Sequence, residues 1–109
     1  MKFTLFIFLI LVFSPIIMKS QIISPVSELP DEINETSGLI FLENKIITHN
    51  DSGDEPMLYE IDSINAQITR KVVIKNAINT DWEDICYDDE YIYIGDFGNN
   101  YGNRTDLKV

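Results

Sequence analysis

"ETSGLIFLENKIITHNDSGD", Glu35 to Asp54, lies without a gap over "DWEDICYDDEYIYIGDFGNN", Asp81 to Asn100, at an offset of 46 residues. Leu39 falls on Ile85, Phe41 on Tyr87, Ile46 on Ile92, Ile47 on Tyr93 and Asn50 on Asp96. Only Ile46 and Ile92 are identical, so a pattern repeats rather than a set of residues. Each copy reads as two short strands of β-branched and aromatic residues with a turn between them. Glu43-Asn44 supplies the first turn and Asp88-Asp89 the second. Between the copies, "MLYEID" and "QITRKVVIK" form a further strand pair around "SINA". No stretch of the domain shows helical periodicity, so the expectation is an all-β chain of antiparallel strands.

A period of about 46 residues containing two hairpins and a loop matches the four-stranded repeat of a β-propeller blade. The first blade is expected over about residues 37–74, and the second from about residue 82. A small sandwich or an open meander is the alternative. A propeller closes with about four blades or more, and this chain holds fewer than two. The expectation is therefore the N-terminal, incomplete part of a longer domain.

Residues 1–20 read differently. Lys2 opens them, "FTLFIFLILVF" is an apolar run of export-signal length, and Ser20 offers a small residue before a cut at Gln21. A spanning helix needs about twenty apolar residues, and Ser14-Pro15 interrupts this run. The expectation is a cleaved signal peptide, a connecting segment over 21–34 and the β domain over 35–109. The protein would then be exported to the periplasm, the cell surface or the medium, with no stable membrane insertion.

Lys2 and Lys19 leave with the signal, so six of eight basic residues remain against eighteen acidic ones, a net charge of about −12. Such a surface repels nucleic acid and attracts cations. Cys86 is the only cysteine, which excludes an intrachain disulfide, and its apolar strand predicts a buried thiol.

An antiparallel hairpin brings the start of its first strand beside the end of its second. Glu35 is thus expected beside His49, Asn50 and Asp51. Asp81, Trp82, Glu83 and Asp84 are expected beside Asp96, Asn99 and Asn100. Three chemistries fit such a face. Calcium or another divalent cation takes six to eight oxygens, which makes Glu35, Asp51, Glu83 and Asp96 candidate ligands. A metal-bound water beside a carboxylate opens an ester, with Glu83 or Asp84 as the candidate catalytic base. Recognition of a small molecule, glycan or protein would draw on Trp82, His49, Asn50, Asn99, Asn100 and Arg104. Against each stands a plainer reading. Asn, Asp and Gly are ordinary turn formers, and Trp82 is of a size to pack between repeats.

"ETSGL", "THNDSG" and "LYEID", followed by "DWEDI" and "YIYIGDFGNNYGNR", resemble the opening of a group of exported bacterial β-propeller proteins. That group is related in pattern to SdiA-regulated, NHL and gluconolactonase-type propellers. The resemblance covers about residues 35–109. It implies a divalent metal, often calcium, in a central channel, with Glu35 at the position of a metal-binding glutamate and Glu83 as its counterpart one blade later. "TSG" follows Glu35 where the gluconolactonase type has a tighter turn, and ligands from later blades have no equivalent here. The expected function is ligand or divalent-cation binding, without catalysis by this part alone. A metal-assisted lactonase, esterase or phosphoesterase is the alternative for the complete protein.

Overall fold

The computed structural model describes residues 20–109, so the signal reading falls, but for Ser20, outside the described residues. Six strands follow in order: β1 Thr36–Leu42, β2 Lys45–Asn50, β3 Met57–Asp62, β4 Ile68–Val73, β5 Trp82–Tyr87 and β6 Ile92–Asp96. They form a four-stranded antiparallel sheet, β1-β2-β3-β4, and a two-stranded antiparallel sheet, β5-β6. No helix occurs among the described residues, and the chain is all-β. Residues 21–30 carry no regular structure.

The turns follow from their residues. Glu43 and Asn44 both take positive φ, 50° and 62°, the geometry of a two-residue hairpin whose twist matches its strands. The β5–β6 connection is longer than the expected Asp88-Asp89 pair, and β6 begins at Ile92. Asp88 closes that loop, its Oδ1 accepting from the backbone N–H of Glu90 at 2.8 Å and of Tyr91 at 2.7 Å. The β3–β4 loop is organised by Asp62, whose Oδ1 accepts from Ile64 and Asn65. These are the self-bonding habits of aspartate in turns.

The 46-residue offset extends to the pairing. Thr36 faces Asn50 as Trp82 faces Asp96, Gly38 faces His49 as Asp84 faces Gly95, and Leu39 faces Thr48 as Ile85 faces Ile94. Each hairpin also carries a bulge at the same step, between Thr36 and Gly38 and between Trp82 and Asp84. Two hairpins with the same register and the same bulge present the same ends.

The sheets stack with β1 against β5. The Ser37 hydroxyl donates to the Glu83 carbonyl at 3.3 Å, and the Tyr87 hydroxyl to the Phe41 carbonyl at 3.1 Å. Gly38 permits this approach, because a Cβ there would lie 3.0 Å from the Ile85 nitrogen. Between the sheets, Ile40, Leu58, Trp82 and Ile85 form one core cluster. A second cluster, Ile33, Met57, Tyr59, Ile61 and Ala66, covers the other face of the larger sheet. Burial of each large side chain contributes about 2 kcal/mol.

Cys86 departs from expectation. Strand side chains alternate, and Ile85 takes the inward position, so Cys86 is exposed.

Candidate functional site

The hairpin ends converge where the chain leaves β2 and enters β5. The Asp51 N–H donates to the Glu35 carbonyl at 2.8 Å, extending the β1–β2 ladder by one rung into the loop. The Gly98 N–H donates to the Asp81 carbonyl at 3.0 Å and closes the second hairpin in the same way.

Asn79 joins the two ends. It is 3% exposed, and its side-chain nitrogen donates to the carbonyls of Asn50 at 3.0 Å and Asp51 at 2.8 Å. Its side-chain oxygen accepts from the Trp82 N–H at 3.1 Å. One amide thus fixes the exit of β2 against the entrance of β5. Sequence reasoning missed it, because Asn79 lies in an unremarkable linker and its partners are 28 and 29 residues away.

As a result, carboxylate oxygens of Asp51, Asp81 and Glu83 lie within 4.8 Å of one another. All three side chains are partly buried, and among the described residues none forms an ion pair. Asp81 titrates above its ordinary value. Desolvation is the main cause, the charge of Asp51 and a hydrogen bond shared with it add to the effect, and Arg104 opposes it. Gly98 makes room for this carboxylate, since a Cβ there would fall 2.1 Å from the Asp81 Cγ. Crowded, partly desolvated carboxylates form an oxygen-only donor set suited to a hard cation.

Asp51 and Glu83, two of the expected metal ligands, are in this cluster, and Asp81 joins them. Asp96 is engaged elsewhere. It is 2% exposed and paired with Arg104 at 3.0 Å and Lys108 at 3.5 Å, and it accepts from the Asp81 N–H at 3.0 Å. Glu35 is exposed and lines a separate acidic hollow with Glu32, Ser52 and Asp54.

Asn99, Asn100 and Arg104 line a cleft of about 220 Å³ whose wall includes Asp81, so three expected recognition residues share a cleft with one member of the cluster. Asn99 also shapes the loop, its side-chain oxygen accepting from the N–H groups of Asn103 and Arg104. Trp82 is 3% exposed and meets the His49 ring edge-on at 5.6 Å between centroids. His49 is fully buried, with Nδ1 3.0 Å from the Asn50 carbonyl oxygen. Asn50 is 3% exposed and donates to the Glu32 carbonyl at 2.9 Å and to Asp54. Asp84 is exposed, and its Oδ1 accepts from the Ile85 N–H at 2.8 Å.

No protein-family model, curated protein or solved structure matches the chain.

Proposed function

We propose that the chain forms successive blade units of an exported β-propeller module that binds a divalent cation of the calcium type at Asp51, Asp81 and Glu83. The repeat of register and bulge at 46 residues supports the blade reading. One observation carries the cation reading. Three carboxylates from two successive units meet within 4.8 Å without an ion-pair partner among the described residues. Left alone they repel one another, and a dication relieves that repulsion. Three oxygens are fewer than calcium requires, so water or a ligand in the Asn99–Arg104 cleft completes the shell. The cation would thereby present a ligand with oxygen donors to the Asn100 and Arg104 side of the cleft.

The hydrolytic alternative has less support. Of its two candidate bases, Glu83 is taken up in the acidic cluster, and the exposed Asp84 carboxylate accepts from the Ile85 N–H.

The test is a calcium titration of the melting temperature, with terbium luminescence sensitised through Trp82 as a direct readout. Saturation at about a hundred times Kd adds about 2.7 kcal/mol. Wild type should gain, and Asp51→Asn and Glu83→Gln should lose both signals. No gain in wild type, or an equal gain in the variants, overturns the proposal.

A further inference from the structure

The loop that follows β6 is tied down along its length. Arg104 does most of this. Its Nε pairs with Asp106 at 3.0 Å, its Nη2 with buried Asp96 at 3.0 Å, and its Nη1 donates to the Gly98 carbonyl at 2.8 Å. The Asn99 side-chain oxygen accepts from the N–H groups of Asn103 at 2.9 Å and Arg104 at 3.0 Å. The Gly102 N–H donates to the Asn99 carbonyl at 3.0 Å and closes the turn. Residues 98–104 are thus shaped before any ligand arrives, and a loop already in place binds without the cost of ordering itself.

This loop lines the cleft of about 220 Å³ together with Ser52, Thr80 and Asp81. Ser52 follows Asp51 and Thr80 follows Asn79, so the amide that joins the two hairpins also sets this part of the lining. The hydroxyls of Ser52 and Thr80 and the side-chain amides of Asn100 and Asn103 are exposed, and they offer donors and acceptors together. Tyr101 lines the cleft as well and is 92% exposed, so its ring buries nothing of the fold. Two charged residues belong to the lining. Arg104 has all three guanidinium nitrogens engaged within the protein, whereas the Asp81 carboxylate forms no ion pair among the described residues.

That lining selects by chemistry. An anion meets no unengaged cation there, on a chain with eighteen acidic residues. An apolar ligand meets one aromatic ring among hydroxyls and amides. A sugar ring meets both of its needs. Its hydroxyls each donate and accept, which suits a carboxylate beside side-chain amides, and its C–H face suits an aromatic ring with a polar tip. The cleft is smaller than the roughly 300 Å³ at which sites for drug-sized ligands begin, which fits a single ring rather than a longer chain.

We propose that the cleft binds one neutral pyranose ring, with its hydroxyls on Asp81 and Asn100 and its C–H face on Tyr101. This deepens the function proposed above by naming the ligand, and it rests on that reading only in taking the junction of the two hairpins as a binding site.

The test is saturation-transfer difference NMR on the full chain with the methyl glycosides of glucose, galactose and mannose, first with chelator and then with calcium. At least one should bind with a dissociation constant of about a millimolar. Asn100→Ala should weaken it about fivefold, the yield of one hydrogen bond. Tyr101→Ala should weaken it by a similar factor, and Tyr101→Phe should not, because the ring face makes the contact. Both side chains are exposed, so an unchanged melting temperature without sugar verifies that the variants fold. Calcium should tighten the glycoside when a hydroxyl pair completes its shell, and the glycoside should tighten calcium by the same factor. No binding of any glycoside, equal binding by the Asn100→Ala and Tyr101→Ala variants, or tighter binding of glucuronate or putrescine overturns the proposal. A calcium response without glycoside binding overturns it and leaves the cation reading standing. Glycoside binding in chelator without any calcium response does the reverse.

Discussion

The side-chain amide of Asn79 donates to the Asp51 carbonyl at 2.8 Å, and the same side chain accepts from the Trp82 N–H at 3.1 Å. The entrance of β5 and the exit of β2 are therefore held by one residue. Asn79→Ala strips buried backbone groups of their partners, which costs about 2 kcal/mol. The urea midpoint should fall accordingly. The calcium response should weaken as well, because Asp51 is no longer fixed beside Asp81 and Glu83. An unchanged midpoint would refute the bracing role.

Asp81→Asn should act in opposite directions with and without cation. The folded-state titration of Asp81 lies above its ordinary value, through desolvation first and Asp51 second. A carboxylate raised on folding adds nothing adverse below its unfolded titration and opposes folding once pH exceeds the folded one. At pH 7 with chelator, the variant should therefore melt higher than wild type. With saturating calcium it should melt lower, having lost a ligand. A variant that melts lower under both conditions would show that Asp81 is a structural residue only.

Arg104→Met tests the ion pair with buried Asp96, which is 2% exposed. Removing one partner leaves a buried charge less compensated, at a cost of about 3 kcal/mol. Lys108 is the only other cation paired with Asp96 among the described residues, and its side chain is 57% exposed. The double variant Asp96→Asn/Arg104→Met should recover part of the loss, as a double-mutant cycle in denaturant would measure. Strict additivity would mean that the pair is not coupled.

Gly38→Ala should separate the sheets. A Cβ there meets the Ile85 nitrogen at 3.0 Å, the Asp84 carbonyl carbon at 3.1 Å and His49 Nε2 at 2.8 Å. Backbone on one side and a buried ring on the other leave little room to adjust. Overpacking of this kind costs about 1–3 kcal/mol. Near-ultraviolet circular dichroism of Trp82 should change with it, since Trp82 packs on His49. A neutral variant would mean that the β1–β5 approach is looser than described.

The strands were legible because alternation and β-branched residues are local signals, and the repeat was legible because both hairpins keep one register. The bulges at Thr36/Gly38 and Trp82/Asp84 left no such mark. Cys86 was misjudged because an apolar strand does not say which of its faces is buried until a partner sheet is known. The sequence pointed to acidic residues at the hairpin ends, and the fold brings only some of them together. Asp51 and Glu83 are candidate ligands from the sequence, whereas Asp81 is there only part of the polar crowding at the hairpin end. The resemblance sets Glu35 and Glu83 at equivalent positions one blade apart, although only Glu83 joins the cluster. Yet the cluster forms between the end of one unit and the start of the next, and Asn79, which sets that junction, carries no periodic signal.

Asp88 gives the clearest acid dependence. Its carboxylate titrates below its ordinary value, chiefly through the Tyr93 hydroxyl at 2.7 Å and then the N–H groups of Glu90 and Tyr91. A carboxylate lowered on folding contributes stability that is complete above its unfolded value, about 3.9, and fades as pH falls through the folded one. Asp88→Asn keeps an oxygen for the loop N–H groups and removes the charge. The melting temperature of wild type should exceed that of the variant by a constant margin above about pH 5, and the margin should shrink from about pH 4 downward. Taking the difference between the two proteins cancels the other carboxylates, including Asp62 and Asp106, which also titrate low. A margin that stays constant to the acid limit would mean that the charge of Asp88 does not hold the β5–β6 turn.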